Sequence, residues 1–290
     1  MSAVAASVAA LKYYTAGASN YNSTKLLGKT VVVAGKPNSV TTEIARTLSA
    51  NGASVIFLSK EKEKVLEGTT SIIEANRWYH KDDPVLEYAK IDPTDVVAVD
   101  YYMKDFKMKN NKVDILIQLP YDRTQILTKK EATVIRDTDH LTKAMTPFLE
   151  LSGEGRVINL LNYMPSSFTK DNQQAAGSTL DDKSSILLED LAIVRTTREQ
   201  QQTFDKNKLH IKSVAVNPGF TREEMVRRYP WMASIPLVSH LALWLIAKDN
   251  KQASQTALHA IMVPWKDLRG GELYSECKPV ILEKENIDRL

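Results

Sequence analysis

Residues 30–60, TVVVAGKPNSVTTEIARTLSANGASVIFLSK, constrain the fold more than any other stretch. The β-branched run at 31–33, bounded by Gly35, has the profile of a strand covered on both faces, which shows no polar alternation. Ile44, Ala45 and Leu48 then fall on one face of a helix. Asn51-Gly52 ends that helix, and 55–58 forms a second apolar strand. A strand, a loop opening a helix and a second strand make a βαβ unit, whose first loop usually cradles a dinucleotide.

The alternation continues along the chain. Further strands are expected at 86–91, 113–118, 156–161 and 212–216. Helices are expected near 61–78, 97–106, 128–151 and 184–204, with a basic turn at 107–112 and a polar loop at 164–183. Strands alternating with helices at this spacing predict an α/β fold. Its core is a doubly wound, Rossmann-like parallel sheet in a three-layer α/β/α sandwich. No repeat or Gly/Ser linker divides the chain. It reads as an N-terminal arm (1–25) followed by a single domain (26–290).

Charge and composition exclude several function classes. A net charge of +3 on 290 residues does not call for a nucleic-acid partner. The single cysteine, Cys277, rules out an internal disulfide framework and fits a reducing compartment. The histidines at 80, 140, 210, 240 and 259 show no metal-ligand spacing, so no metal is expected. No acidic residue precedes Glu43, while Lys12, Lys25 and Lys29 lie in a segment rich in Ala and Ser. Such composition resembles a mitochondrial targeting segment; the alternative is a polar arm without an address, in a cytoplasmic protein. Residues 230–247, PWMASIPLVSHLALWLIA, fall short of a spanning helix because Ser, His and an internal Pro interrupt them. They suit a helix packed on the domain edge or lying on a membrane surface.

Local phrases sharpen the picture. LLGKTVVVAG at 26–35, NGASVIFLSK at 51–60, VDILIQ at 113–118, GRVINLL at 155–161 and VNPGF at 216–220 follow one another in order. With KDNKQASQTALHA at 248–260 and GGELYSECK at 270–278, they resemble the short-chain dehydrogenase/reductase family, in its retinol dehydrogenase and WW-domain oxidoreductase branch. The resemblance spans about residues 26–280 and implies a nicotinamide-dependent oxidoreductase fold.

The family's reaction needs a tyrosine as general acid/base, with a lysine four residues on. A serine polarises the substrate oxygen, and an asparagine holds a water relay. A phenol of pKa about 10 must be drawn towards neutrality by a neighbouring cation before it exchanges protons at physiological pH. Aligned on the family's phrases, the tyrosine falls on Ile186, the lysine on Asp190, the serine on Asn162 and the asparagine on Val134. Ile186 has no proton to give, and Asp190 places a negative charge where a positive one is required. Tyr21–Lys25 and Tyr274–Lys278 repeat the Tyr-x-x-x-Lys string outside its structural context, so neither is expected to be catalytic.

The cofactor loop is altered as well. Where the resemblance implies Thr-Gly-x-x-x-Gly-x-Gly, residues 34–41 read AGKPNSVT. Gly35 survives, Ser39 offers a cap and a phosphate contact, and Thr41 puts β-branched bulk at a crowded helix–strand contact. Gln118-Leu119-Pro120-Tyr121 replaces Asn-Asn-Ala-Gly and sets a ring where the ribose would pass. The residues that remain for residual NADP(H) binding are Gly35, Lys36, Ser39, Lys60 and Asp92. Lys60 stands at the 2′-phosphate position and Asp92 at the adenine contact that the resemblance implies. The outer face of the 184–204 helix (Arg195, Arg198, Glu199, Gln201, Gln202), a dimerisation helix in many relatives, reads as polar.

Together these features favour a catalytically inactive member, an accessory subunit of a larger, membrane-associated mitochondrial complex such as a respiratory one. Its partners are then protein subunits, with membrane-surface contact through 230–247. Two alternatives stay open. One is an NADP-dependent reductase of lipid-like carbonyls with a rearranged site around Asn162 and Tyr163; the other is an NADP(H)-binding sensor without turnover.

Overall fold

A computed structural model describes residues 3–22, 24–76, 86–109, 112–119, 131–162, 182–222, 225–226 and 244–280. The strands are β1 (Thr30–Ala34), β2 (Ser54–Ser59), β3 (Leu86–Lys90), β4 (Ile115–Gln118), β5 (Gly155–Leu160), β6 (Ile211–Val216), β7 (Leu273–Ser275) and β8 (Lys278–Val280). The helices are α1 (Ala3–Ala16), α2 (Ser39–Ala50), α3 (Lys62–Asn76), α4 (Val96–Lys109), α5 (Glu131–Glu150), α6 (Asp182–Lys206) and α7 (Asn250–Met262). The strands form one sheet in the order β3-β2-β1-β4-β5-β6-β7-β8, parallel throughout except for the final β7–β8 hairpin. The expected doubly wound sheet is therefore present, extended by two short strands at the YSECK phrase that periodicity does not predict. The expected basic turn at 107–112 is in part helical, because α4 runs on to Lys109.

Strand interiors explain the layering. Val31, Val33, Val55, Phe57, Ile115, Ile117, Ile158, Val214 and Val216 pack on one face, against Ile44 and Leu48 of α2, Ile72 of α3 and Ala257 and Ile261 of α7. Val32, Ile56, Leu58, Leu116 and Val157 point the other way, onto Phe106 of α4, Leu141, Met145 and Leu149 of α5 and Phe204 of α6. Each central strand is thus apolar at odd and even positions alike. β3, the edge strand, has no fully buried residue and mixes half-buried with exposed positions.

A buried arginine and a half-buried lysine tie the C-terminal part of the chain to this core. The Arg156 guanidinium in β5 donates to the carbonyls of Ala260 (2.9 Å) and Ile261 (2.7 Å), satisfying the last turn of α7. Lys212 in β6 donates to the carbonyls of Trp265 and Leu268, both at 2.7 Å, with its ammonium 4.6 Å from the centre of the Trp265 ring.

The N-terminal segment is fastened along α7. Thr15 Oγ1 donates to the carbonyl of Leu245 (2.7 Å), and Ala18 N–H to Glu276 Oε2 (2.7 Å). Asn20 N–H donates to Gln255 Oε1 (2.9 Å), and Thr24 Oγ1 to the carbonyl of Met262 (3.0 Å). Asn22 Nδ2 donates to His259 Nδ1 at 3.1 Å, so the strap uses the neutral imidazole as an acceptor.

Burial holds the His259 pKa below its ordinary value. The unfolded chain therefore takes up a proton that the folded chain resists, and this contribution is complete above pH about 6.5 and fades as pH falls towards the folded value. Urea unfolding followed from about pH 7 to about pH 5 should show a steeper loss of stability for the parent than for His259→Gln. Equal pH slopes would contradict this account of the strap.

Candidate functional site

Ligands of doubly wound sheets bind beyond the carboxyl ends of the strands, beside the point where strand order reverses. Here that point lies between β1 and β4, and the β1–α2 loop forms one wall. Gly35 leaves β1 at φ +129, and a Cβ there would come within 2.7 Å of Leu119 Cβ. The surviving glycine is thus required by the close approach of the β4 exit, whether or not a cofactor passes.

The helix cap falls on Asn38, not on Ser39, the residue that spacing offers. Asn38 Oδ1 accepts from Thr41 N–H (2.9 Å) and Thr41 Oγ1 from Asn38 N–H (2.9 Å), a reciprocal capping box. Thr41 is therefore no steric intruder. Its hydroxyl is the second half of the cap, buried and hydrogen-bonded. Pro37 has no amide donor, and the amides of Asn38 and Thr41 are taken, so this helix start presents fewer donors to an anion than a glycine-rich loop does.

The remaining cofactor candidates sit along the same edge. Lys60, at the end of β2, pairs with Asp92, just past β3, at 3.0 Å. Asp92 also accepts from Thr94 Oγ1 at 2.7 Å. Burial pushes the Asp92 carboxyl up, but the hydrogen bonds from Thr94 and Lys60 outweigh it and hold the pKa below its ordinary value. Lys36 Nζ lies 3.9 Å from Glu61 Oε1. The structure thus brings Gly35, Lys36, Ser39, Lys60 and Asp92 to one edge of the sheet, with both lysines facing carboxylates. Pro120 and Tyr121 lie outside the described residues.

At the positions that the resemblance marks as catalytic, the geometry is more telling. Ile186 and Asp190 are one turn apart on α6, and Val134 is in the first turn of α5; the side chains of Val134 and Ile186 lie outside the described residues, as does Tyr163. Asp190 is 0% exposed. Its Oδ1 accepts from the backbone N–H of Asn162 (2.9 Å) and from Asn162 Nδ2 (3.3 Å), just past the end of β5. Asn162 and Asp190, which the resemblance sets at the serine and lysine positions, therefore bond to each other, clamping α6 to the end of β5. A buried carboxylate accepting from an N–H is a structural fastening of substantial strength.

A buried polar seam, unforeseen in the sequence, runs beneath α5 and α6. Asn159 Nδ2 in β5 donates to Thr197 Oγ1 (2.9 Å), Gln200 Oε1 (3.1 Å) and Ser213 Oγ (3.1 Å). Gln200 Nε2 donates to Thr142 Oγ1 (3.1 Å), which also accepts from Gln118 Nε2. Gln201 Oε1 accepts from Ser213 N–H (2.8 Å). Gln201 is therefore buried against β6 and does not belong to the polar outer face that helical spacing suggests. Gln118, in place of the family's first Asn, is spent inside this seam. Tyr274 of the second Tyr-x-x-x-Lys string is buried in β7 and accepts from Arg269 N–H (2.8 Å), while Tyr21 of the first lies exposed on the strap.

Cavities among the described residues lie elsewhere. One of about 310 Å³ opens between the strap, α2 and α7, and one of about 380 Å³ between α5 and α6; neither is lined by a cofactor candidate. Among the described residues no cluster of three metal-binding side chains occurs, and no helix is long and apolar enough to cross a membrane.

No family model matches the sequence. The chain is 25% identical to human retinol dehydrogenase 12 over 286 residues, covering 92% of this chain and 83% of that protein. The bovine retinol dehydrogenase 12 is likewise 25% identical over 284 residues, covering 92% and 84%. Among solved structures, a putative short chain dehydrogenase from Pseudomonas syringae superposes with a TM-score of 0.63 at 16% identity, covering 86% of this chain and 95% of that one. Glucose dehydrogenase of Caenorhabditis elegans in its apo form gives 0.62 at 16% identity, with coverage of 86% and 96%. The fold is that of the short-chain dehydrogenases/reductases, and over most of its length the chain is similar in sequence to retinol dehydrogenases.

The Asn162–Asp190 clamp has a measurable consequence. Asp190→Ala should lower unfolding free energy by about 1–3 kcal/mol, because the Asn162 donors lose a buried acceptor. A change within the roughly 0.5 kcal/mol of an ordinary surface substitution would contradict the clamp.

Proposed function

We propose that this short-chain dehydrogenase/reductase no longer carries out the family's hydride-transfer chemistry and serves as an accessory subunit of a larger assembly. The observation that carries the reading is Asp190: a fully buried carboxylate, bonded to Asn162, at the position that requires a lysine cation. A carboxylate beside a phenol raises its pKa, so even a tyrosine recruited from nearby loops would meet the wrong sign of charge.

A mitochondrial, membrane-associated assembly, a respiratory complex being the specific case, is part of the same proposal. It is supported by the absence of any acidic residue before Glu43 and by the uncharged stretch at 230–247. A second reading, a nucleotide-binding sensor without turnover, is favoured by Lys36 and Lys60 at the edge where a 2′-phosphate would lie. Against it, Lys60 already faces Asp92 at 3.0 Å.

Native purification of the full chain tests the subunit role. The protein should elute well above its 32.5 kDa mass, in fixed ratio to a constant set of co-eluting proteins. Elution as a free monomer in gentle detergent and at low salt would overturn it. Calorimetric titration with NADPH separates scaffold from sensor, since micromolar affinity would establish the second reading.

A further inference from the structure

The outer end of α1 meets the segment around Trp244 at a seam that leaves several large apolar side chains partly in solvent. Val8 and Leu11 are 37% and 43% exposed, and Trp244 and Ile246 are 42% and 47% exposed. Lys12 sits between the two groups, with its ammonium 5.5 Å from the centre of the Trp244 ring and donating to the carbonyl of Ala247 at 3.5 Å. Val8, Leu11, Lys12 and Thr15 are spaced three and four apart, so one side of α1 carries them all. Thr15 fixes that side to the carbonyl of Leu245. Tyr13, 86% exposed, flanks the seam. Isolated apolar side chains on a surface need no explanation, but a cluster astride a cation does.

Charge indicates what covers this cluster. The first 42 residues contain four lysines and no acidic residue, and the sequence leading into the seam carries no charged side chain from Pro230 to Ala247. Among the described residues, the charged groups felt by Lys12 include Asp249 and Arg222. Asp249 is already committed as the cap of α7, accepting from Gln252 N–H at 2.8 Å. A second copy meeting this face across a two-fold axis would set Lys12 and Arg222 against their own equivalents. An anionic surface would not.

We infer that the α1 face bearing Val8, Leu11 and Lys12, together with Trp244 and Ile246, docks onto an anionic phospholipid surface. The indole and aliphatic groups enter the headgroup layer, and the ammonium of Lys12 stays at phosphate level, as amphipathic side chains do at such boundaries. This deepens the membrane-associated part of the proposed function. It is tested without any protein partner, so its failure would leave the subunit role standing.

The experiment is flotation of the full chain with vesicles of mixed phosphatidylcholine and phosphatidylglycerol, and with phosphatidylcholine alone. Binding to the mixed vesicles should exceed binding to phosphatidylcholine by roughly tenfold or more and should weaken with salt. The double variant Trp244→Ser/Ile246→Ser should bind roughly tenfold less or weaker still, and Lys12→Gln about fivefold less. Leu11→Ser, on the other side of the seam, provides an independent variant should the double variant fail to fold. Absence of flotation with mixed vesicles would overturn the inference, as would unchanged flotation of the folded variants. So would concentration-dependent self-association that the same substitutions abolish, because a second copy would then be the occupant.

Discussion

Burial of β1, β2, β4, β5 and β6 on both faces is the constraint on which the rest of the structure depends. A strand covered above and below must pair its backbone on both edges and needs a helical crossover to reach its parallel neighbour. Helices on both faces follow, and the connecting loops collect at the ends of the sheet. The carboxyl edge is thus built whether or not it performs chemistry. None of the four positions at issue, 134, 162, 186 and 190, belongs to a strand interior. Residues at those positions can therefore be exchanged without touching the layered core.

The residues that the resemblance sets at the reactive positions have their own physical logic. Bringing a phenol from a pKa of about 10 to near neutrality takes differential stabilisation of about 4 kcal/mol, which the family draws largely from a lysine ammonium. Asp190 reverses the sign of that contribution. A carboxylate with no exposed surface also needs hydrogen-bond donors, and Asn162 supplies two of them. At the other wall of the crevice, the Asn38–Thr41 capping box uses amides that a phosphate would otherwise engage. Both walls have turned inward, each meeting its polar requirements from within the chain.

The layers were legible in the sequence because hydrophobic period reports burial directly. The β-branched runs at 31–33 and 55–58 and the Ile44–Leu48 spacing sufficed for the first βαβ unit. The assignment of positions 162, 186 and 190 rests on the phrases flanking them, and the structure adds to it the bond between Asn162 and Asp190. Other features left no periodic trace. Asn159, Thr142, Gln200 and Ser213 carry no sign of their seam in the sequence, since nothing local shows that they meet partners far along the chain. The strap reads as a polar arm because its anchorage consists largely of single hydrogen bonds to α7 and the β7–β8 turn. Thr41 was misleading for a different reason: bulk at a glycine position looks like a loss until Asn38 is seen to use its hydroxyl. Gly35 was ambiguous in the opposite sense, its retention explained by Leu119 as well as by a pyrophosphate.

The claim that the fold has been kept without the family's chemistry is tested most directly by hydride transfer itself. Purified full chain would be mixed with NADPH or NADH and retinaldehyde or another lipid-like carbonyl, and nucleotide oxidation followed. The account predicts a rate indistinguishable from that of nucleotide and carbonyl without protein. Protein-dependent oxidation that saturates with the carbonyl and persists in Asp190→Ala would contradict it, for it would mean that the chain holds a working site that does not depend on Asp190.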